Sequence, residues 1–425
     1  MLTPGQRIVV RIEKAVVGGD MLARHDGQVV FVSGTLPGEV VEIRIDRVAR
    51  GYARGTTIEV REPDPARREF AGDASCGGAT YGHIVYARQL RLKHDILADA
   101  FQRVGGRTLD EPIEIAASAE RGYRMRARFR VRAGRLGFVK AGSHDICDPA
   151  TTGQLLPETE RAVEALQSWM AEGWRGVEAV EFAENVAADA RVAHIEARGR
   201  PPRVETGVLE RAGYSGITWG HGRASTLFGS PSVSDRVETL VGGAGLRADV
   251  SVRRRATSFF QGNRYLVGAL ANAVRRHTEC DRVLDLYAGV GLHALTHLAD
   301  GRPRVTAVEG DRRTARDLLA NIRALGGGLE VRHLSVEAFL RRTAPEPAAA
   351  AIVNPTRSGL SRDALLGLQR LTPARIVYVS CDVATLARDV RRLEGHYALR
   401  HLEGYDMFPN TAHVEVVAVL VRRNG

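Results

Sequence analysis

Two kinds of segment alternate in the C-terminal part of the 425-residue chain, and this alternation limits the fold more than any other feature. From about residue 255, the apolar runs "RVLDLYAGVG", "RVTAVEGD", "LEVRHLS", "AAAIVNP" and "ARIVYVSCD" are separated by helical patterns such as "RRTARDLLANIRALGG" and "SRDALLGLQRL". An uninterrupted apolar strand must be covered on both faces, so helices have to flank a parallel sheet from both sides. A Rossmann-like α/β domain is therefore expected over 241–425. Residues 1–62 follow another rhythm. "RIVVRIEKAV", "GQVVFVSG", "EVVEIRIDRV" and "RGTTIEVRE" are β-branched runs parted by Gly-rich turns, which predicts an OB-like β-barrel. Residues 63–240 lie between. They hold the linker "PDPARRE", a helix over 84–104 and a central α+β domain with the helix "PETERAVEALQSWMAEG". Leu90, Leu97, Phe101 and Val104 share one face of the first helix, with Ile96 beside it.

Charge points to a polyanionic partner. Lys and Arg number 60 against 50 Asp and Glu, a net charge of +10. A genome that favours Arg codons is the plainer explanation. The stretch "YRMRARFRVRAG" narrows the choice: Arg124, Arg126, Arg128, Arg130 and Arg132 alternate with Tyr123, Met125, Ala127, Phe129 and Val131. As a strand it has one basic and one apolar face, with like-facing side chains ~6.6 Å apart, near the phosphate spacing of a single nucleic-acid strand. The basic face is either an RNA-backbone contact or the solvated side of an antiparallel sheet. With no carboxylate in the run, RNA is favoured, and Arg124, Arg126, Arg128 and Arg130 are the candidate contacts.

The four cysteines, Cys76, Cys147, Cys280 and Cys381, form no CxxC pair. They read as neither a disulfide framework nor a metal cage, which suits a reducing cytoplasm. The start "MLTPGQRIVVRIEK" lacks the apolar core of a signal peptide, and "VEVVAVLV" is too short to span a membrane. A cytoplasmic monomer without a membrane partner is expected.

"VLDLYAGVGLHAL" reads as a strand, a Gly-x-Gly turn and a helix start. Gly289 and Gly291 let the backbone turn tightly and approach a ligand. Glu309 ends the next strand, where a carboxylate can accept the ribose hydroxyls of an adenosine. The third glycine of a dinucleotide fingerprint is missing, and S-adenosylmethionine, with no pyrophosphate to cradle, needs only a shorter loop. An unused corner of a doubly wound fold remains the alternative. In "RATSFFQGNRYL", Phe259 and Phe260 read as core, and Gln261 as a ligand contact or a cap.

Taken in order, these segments resemble the RNA uracil-C5 methyltransferases that carry an N-terminal TRAM domain. "GTLPGE" is similar to the TRAM signature, "SFFQGN" to Phe-Phe-Gln-x-Asn, "DLYAGVGL" to the cofactor loop and "NPTRSGL" to Asp-Pro-Pro-Arg-x-Gly-Leu. "YVSCDVATLARD" and "DMFPNTAHVE" resemble the two catalytic motifs. The resemblance implies methyl transfer from S-adenosylmethionine to C5 of a uridine in tRNA or rRNA. Cys381 would be the nucleophile and Glu415 the base. Gln261, Tyr287, Gly289, Glu309 and Asn354 would line the cofactor site. The helix start after Cys381, and Arg357, are expected to lower the thiol pKa, and burial to raise that of Glu415. His413, two residues before Glu415 on the same face, would tune the base, touch RNA or do neither.

The chain also departs from this family. Many members hold a [4Fe–4S] cluster on four cysteines, but here Ala79 stands in "CGGA" and "REFAGDA" has no cysteine, so no cluster or other metal is expected. Asn354 and Thr356 replace the Asp and second Pro of the family motif. Uracil reading would survive this, with weaker cofactor affinity. His293 reads as a helix-start residue. Two competing readings are cytosine-C5 methylation and an RNA-binding protein with a degenerate, low-activity site.

Overall fold

The computed structural model describes residues 2–423 apart from 110, 172–175, 200, 202–205, 223, 244, 303, 326–328 and 348. Strands Arg7–Ala15, Met21–His25, Gln28–Ser33, Val40–Ala49 and Tyr52–Glu62 close into the expected barrel. Alternation drives closure: Ile8, Val10, Ile12, Ile43 and Ile45 turn inward, and polar neighbours turn out. Glu39 of "GTLPGE" is fully buried. It accepts hydrogen bonds from Leu36 N (2.8 Å) and from Arg67 Nε (2.7 Å), which ties the linker to the barrel.

Helix Tyr86–Arg103 follows, but its buried face is not the one expected. Leu92, Ile96, Leu97, Ala100 and Phe101 are inside together with two polar residues, Gln89 and Lys93, whereas Leu90 is half-buried and Val104 exposed. Lys93 pairs with Asp406, and both side chains are 0% exposed. Gln89 Nε2 donates to Asn410 Oδ1 (2.9 Å), and its Oε1 accepts from Asn410 N (2.9 Å). A search for apolar periodicity cannot find a face whose centre is held by charge and amide pairing.

The central sheet runs Ser225–Gly229, Tyr214–Trp219, Arg191–Ala197, Val177–Glu184, Arg126–Arg132, Arg135–Val139, Ile146–Cys147 in spatial order. Helix Pro157–Ala171 packs on it through Leu166 and Trp169; residues 172–173 of the expected helix lie outside the described residues. Cys76 and Cys147 form a disulfide, with Cα atoms 5.8 Å apart. The expectation of four unpaired thiols is therefore overturned. Cys76 bridges to Lys140 and Cys147 pairs with Phe138, so both flank strand Arg135–Val139 despite a separation of 71 residues. These residues do not fit a four-thiolate cluster: two thiols are joined to each other, Ala79 is buried beside them, and Cys280 and Cys381 lie in the C-terminal part.

Strands Ser232–Arg236 and Ser251–Arg255 pair with one another, so a boundary at 240/241 falls between two partners. The C-terminal sheet runs Glu330–Arg332, Arg304–Val308, Arg282–Leu286, Ala350–Val353, Arg375–Ser380, Glu415–Arg422, Tyr397–Tyr405, Ile115–Ala116. The first five strands are parallel, as the alternation requires, and Glu415–Arg422 runs antiparallel to Arg375–Ser380. Helices Arg312–Ala324, Val336–Arg342, Arg362–Leu371 and Val383–Leu393 begin at Asp311, Ser335, Ser361 and Asp382, whose side chains accept first-turn N–H groups. The end of the expected helix at 326–327 lies outside the described residues. No helix among the described residues is long and apolar enough to cross a membrane.

Removing one partner of a buried pair leaves the other charge uncompensated. Lys93→Ala should lower unfolding free energy by ~3–5 kcal/mol in denaturant titration, and the double variant Lys93→Met with Asp406→Leu should recover most of it.

Candidate active site

In the C-terminal sheet, connections leave Arg282–Leu286 and Ala350–Val353 toward opposite sides, which makes their shared edge a topological switch point. The loop 287–291, Glu309, Asn354 and Cys381 all follow C-terminal ends of parallel strands. Glu415 begins an antiparallel strand and so stands at the same edge. The register Ser380↔Val416, continued by one residue, sets Cys381 opposite Glu415.

Three positive-φ residues shape the loop 287–291: Tyr287 (64°), Gly289 (60°) and Gly291 (97°). A Cβ on Gly289 would meet only Thr314 Cγ2, at 3.9 Å, so the loop is open there. On Gly291 it would strike Leu318 Cδ1 at 2.7 Å, so this glycine admits the neighbouring helix. Glu309 Oε2 accepts from Gly289 N (2.7 Å) and Oε1 from Asp311 N (2.6 Å), so the carboxylate also braces the loop. Asp285, which sequence reasoning missed, accepts from Ala294 N (3.0 Å) at the start of helix Leu292–Ala299. Its Oδ1 is buried with no hydrogen-bond partner among the described residues, and burial pushes its carboxyl up to about 7. The Asn354 side-chain amide makes no hydrogen bond among the described residues and is half-buried. An open backbone loop, a braced carboxylate at the ribose position and an uncommitted amide fit an adenosine-bearing sulfonium.

After strand Arg375–Ser380, Cys381 is a half-buried free thiol. Burial pushes it up, the Glu415 carboxylate adds to that, and the charge and hydrogen bond of Arg357 pull the other way. The net direction is upward, which corrects the expected lowering. The helix start brings its own carboxylate, Asp382, which accepts Thr385 N (2.8 Å) and offsets the helix-end charge. Glu415 is 5% exposed. Burial raises it to about 7, against a hydrogen bond from Gln261 and the charge of Arg357. Gln261, Cys381, Arg357 and Glu415 are thus brought together. His413 lies exposed nearby, its ring 6.3 Å from that of Phe408. His293 is buried in helix Leu292–Ala299.

The phenylalanine pair divides. Phe260 is buried under Arg254 (4.0 Å to the ring centroid), whereas Phe259 is 56% exposed. Asn263 Nδ2 donates to Ser118 Oγ (2.8 Å) and Met407 O (3.2 Å). It joins the Gln261 loop to the 406–411 segment held by Lys93 and Gln89.

The basic strand differs from expectation, because carboxylates reach it from neighbouring strands. Glu181 accepts from Arg126 (3.2 Å) and Arg128 (2.8 Å), and Glu196 accepts from Arg128 (2.5 Å). Arg124 is held by Gln154 Oε1 (2.6 Å) and lies over the Phe138 ring (4.9 Å). Only Arg130 of the four is exposed without an ion pair among the described residues. It shares a groove of ≈ 390 Å³ with Arg132 and His144.

Family models match at both ends of the chain: the TRAM domain over residues 2–58 and tRNA (Uracil-5-)-methyltransferase over residues 347–423. An uncharacterized RNA methyltransferase of Streptomyces coelicolor is 31% identical over 98% of this chain and 93% of its own length. One from Thermotoga maritima is 30% identical over 97% of this chain and 98% of its own. The tRNA (uracil-54, C5)-methyltransferase of Pyrococcus abyssi, solved with S-adenosyl-L-homocysteine, has the same fold. Its TM-score is 0.76 at 23% identity, covering 97% of this chain and 99% of that one. With near full-length relatives, a TRAM barrel and the C-terminal uracil-5 domain, the chain belongs to the TRAM-domain RNA methyltransferases of the tRNA (uracil-5-)-methyltransferase family.

Proposed function

We propose that the protein methylates C5 of a uridine in tRNA or rRNA, with S-adenosylmethionine as donor, through a covalent adduct between Cys381 and C6. The observation that carries this is Cys381 facing a buried Glu415 beside an open Gly-x-Gly loop at the switch point. C5 of uracil is a poor nucleophile. The Cys381 thiolate adds to C6, and the C5=C6 electron pair moves through C4 to O4 as an enolate. S-adenosylmethionine supplies a methyl group made electrophilic by its sulfonium. C5 attacks that methyl, and Glu415 then takes the C5 proton. The freed pair re-forms C5=C6 and expels the thiolate.

Each residue has a physical part in this. Arg357 favours the thiolate that burial opposes. Glu415, held near 7, is a base matched to neutral pH, and its hydrogen bond with Gln261 orients it. The Asn354 amide can accept N3–H of uracil and donate to O4. Gly289, Tyr287 and Glu309 shape the donor's site, and the residue must swing out of any stack to enter. Arg130 with its groove, together with the barrel, is the RNA-facing surface. Arg124, Arg126 and Arg128 act mainly by bracing the central sheet.

RNA bearing 5-fluorouridine has no C5 proton to lose and should trap a denaturant-stable adduct in the presence of donor. Cys381→Ser should lose it, and 5-fluorocytidine RNA should give none. Binding of RNA without adduct or label transfer at saturating donor would favour the degenerate-site reading that Asn354 raises. Comparing 5-methyluridine positions in a deletion strain with its parent identifies the RNA.

Glu415→Gln should leave methylated RNA attached to Cys381, read as a slow-migrating protein–RNA band. Wild-type product release should rise with pH through about 7. The linkage sign is opposite for stability. A carboxyl raised by burial is neutral in both states at low pH and is penalised once charged. Wild type should therefore lose about 3 kcal/mol relative to Glu415→Gln between pH 4 and pH 8, measured by denaturant unfolding.

Asn354→Asp places a negative charge near the sulfonium and should tighten donor binding several-fold in calorimetric titration. Unchanged or weaker binding would refute this role.

A further inference from the structure

Two residues along the strand pair from the Tyr405–Glu415 rung, three groups converge that the proposed reaction does not use. His277 ends helix Val267–His277, and His401 and Glu403 stand two apart on strand Tyr397–Tyr405, hence on one face. Glu403 Oε1 lies 3.4 Å from His277 Nε2 and 3.7 Å from His401 Nε2. The imidazole centroids are 4.7 Å apart and tilted by 39°. One ligand atom from each residue lies within 4.8 Å of the others. Glu403 Oε1 is buried and lacks a well-aligned hydrogen bond among the described residues, with the His277 and Tyr405 side chains as the nearest donors. A buried carboxylate oxygen within 3.7 Å of two imidazole nitrogens is placed to share a cation with them.

We propose that His277, His401 and Glu403 form a divalent-cation site that takes Zn²⁺. Zinc takes imidazole nitrogen at ~2.0–2.1 Å and carboxylate oxygen at ~2.0–2.2 Å, so tetrahedral ligand atoms lie about 3.3–3.5 Å apart. The two contacts to Glu403 are already near that spacing. The imidazoles close the remainder by rotation of His401, whose side chain is 44% exposed. Two imidazoles select a borderline transition ion over Mg²⁺ or Ca²⁺, and three protein ligands leave a fourth position for water. Arg276, 3.9 Å from the other carboxylate oxygen, competes for Glu403 and keeps affinity below that of a closed four-ligand site. The ion sits at a helix C-terminus, where positive charge is favoured. It fastens the helix that follows the Gln261 loop to the strand paired with Glu415–Arg422. Its role is that of a staple behind the site.

The test is calorimetric titration of chelator-stripped full-length protein with Zn²⁺ alone. One Zn²⁺ per chain is expected, weakened at least tenfold by His401→Ala or Glu403→Gln. His221→Ala, in the exposed Glu178–Glu196–His221 group, should leave binding unchanged. Zn²⁺ should raise the Tm of wild type and not of His401→Ala. No binding above a nonspecific background, or binding indifferent to both His401→Ala and Glu403→Gln, overturns the proposal.

Discussion

The Lys93–Asp406 pair is the contact on which the arrangement of the active site depends. Asp406 stands where strand Tyr397–Tyr405 gives way to the segment leading to Glu415, and Lys93 reaches it from the helix after the barrel. Neither side chain touches water. Such a pair adds little net stability, because desolvation of both charges offsets their attraction. Its value is in exclusion: any other docking of the helix leaves a charge stranded in the core. The carbonyls of Asp406 and Met407 also receive Asn263, so the Gln261 loop is indexed to the same point. The Gln261 amide is thereby tied to an element outside the sheet, whereas Cys381 and Glu415 take their spacing from the register of their own strands.

Burial acts on two carboxyls here, with different consequences. Asp285 and Glu415 are both raised to about 7. Asp285 accepts a backbone N–H at a helix start and faces no nucleophile, whereas Glu415 faces Cys381 across a strand pair. A shifted acid marks a site only when its neighbours supply something to do with the proton. The thiol is the harder partner. It is raised by the same burial and by the base itself, with Arg357 as the opposing charge.

Much of this was legible in the sequence. Strand–helix alternation foretold the parallel sheet, and β-branched runs foretold the barrel. The motifs around Cys381, Glu415, Gln261 and the Gly-x-Gly turn named a set that the fold gathers at one edge. What escaped depends on partners distant along the chain. Arg126 and Arg128 look unpaired within their own strand, yet Glu181 and Glu196 meet them from the sheet. Cys76 and Cys147 look scattered until one strand brings them together. Lys93 looks like a solvent-facing lysine because apolar periodicity assigns polar residues outward. The upward shift of Cys381 escaped because the sequence displays the helix start but not how deeply the thiol sits.

The two-residue strand Ile115–Ala116 pairs with Gly404 and Tyr405 and forms the outer margin of the C-terminal sheet. A Cβ on Gly404 would run into Ile115, so that position is kept bare for it. Ribosomes release residue 115 long before residue 404 exists. The sheet's last rung is therefore made before most of the ladder, and it must wait, unpaired, until the opposing strand emerges. Such a contact spans much of the polypeptide and carries the loop-closure penalty of a very non-local pairing. It also covers a strand margin that would otherwise invite pairing with another copy. The order of synthesis, rather than the architecture alone, thus sets when this enzyme's catalytic edge can first assemble.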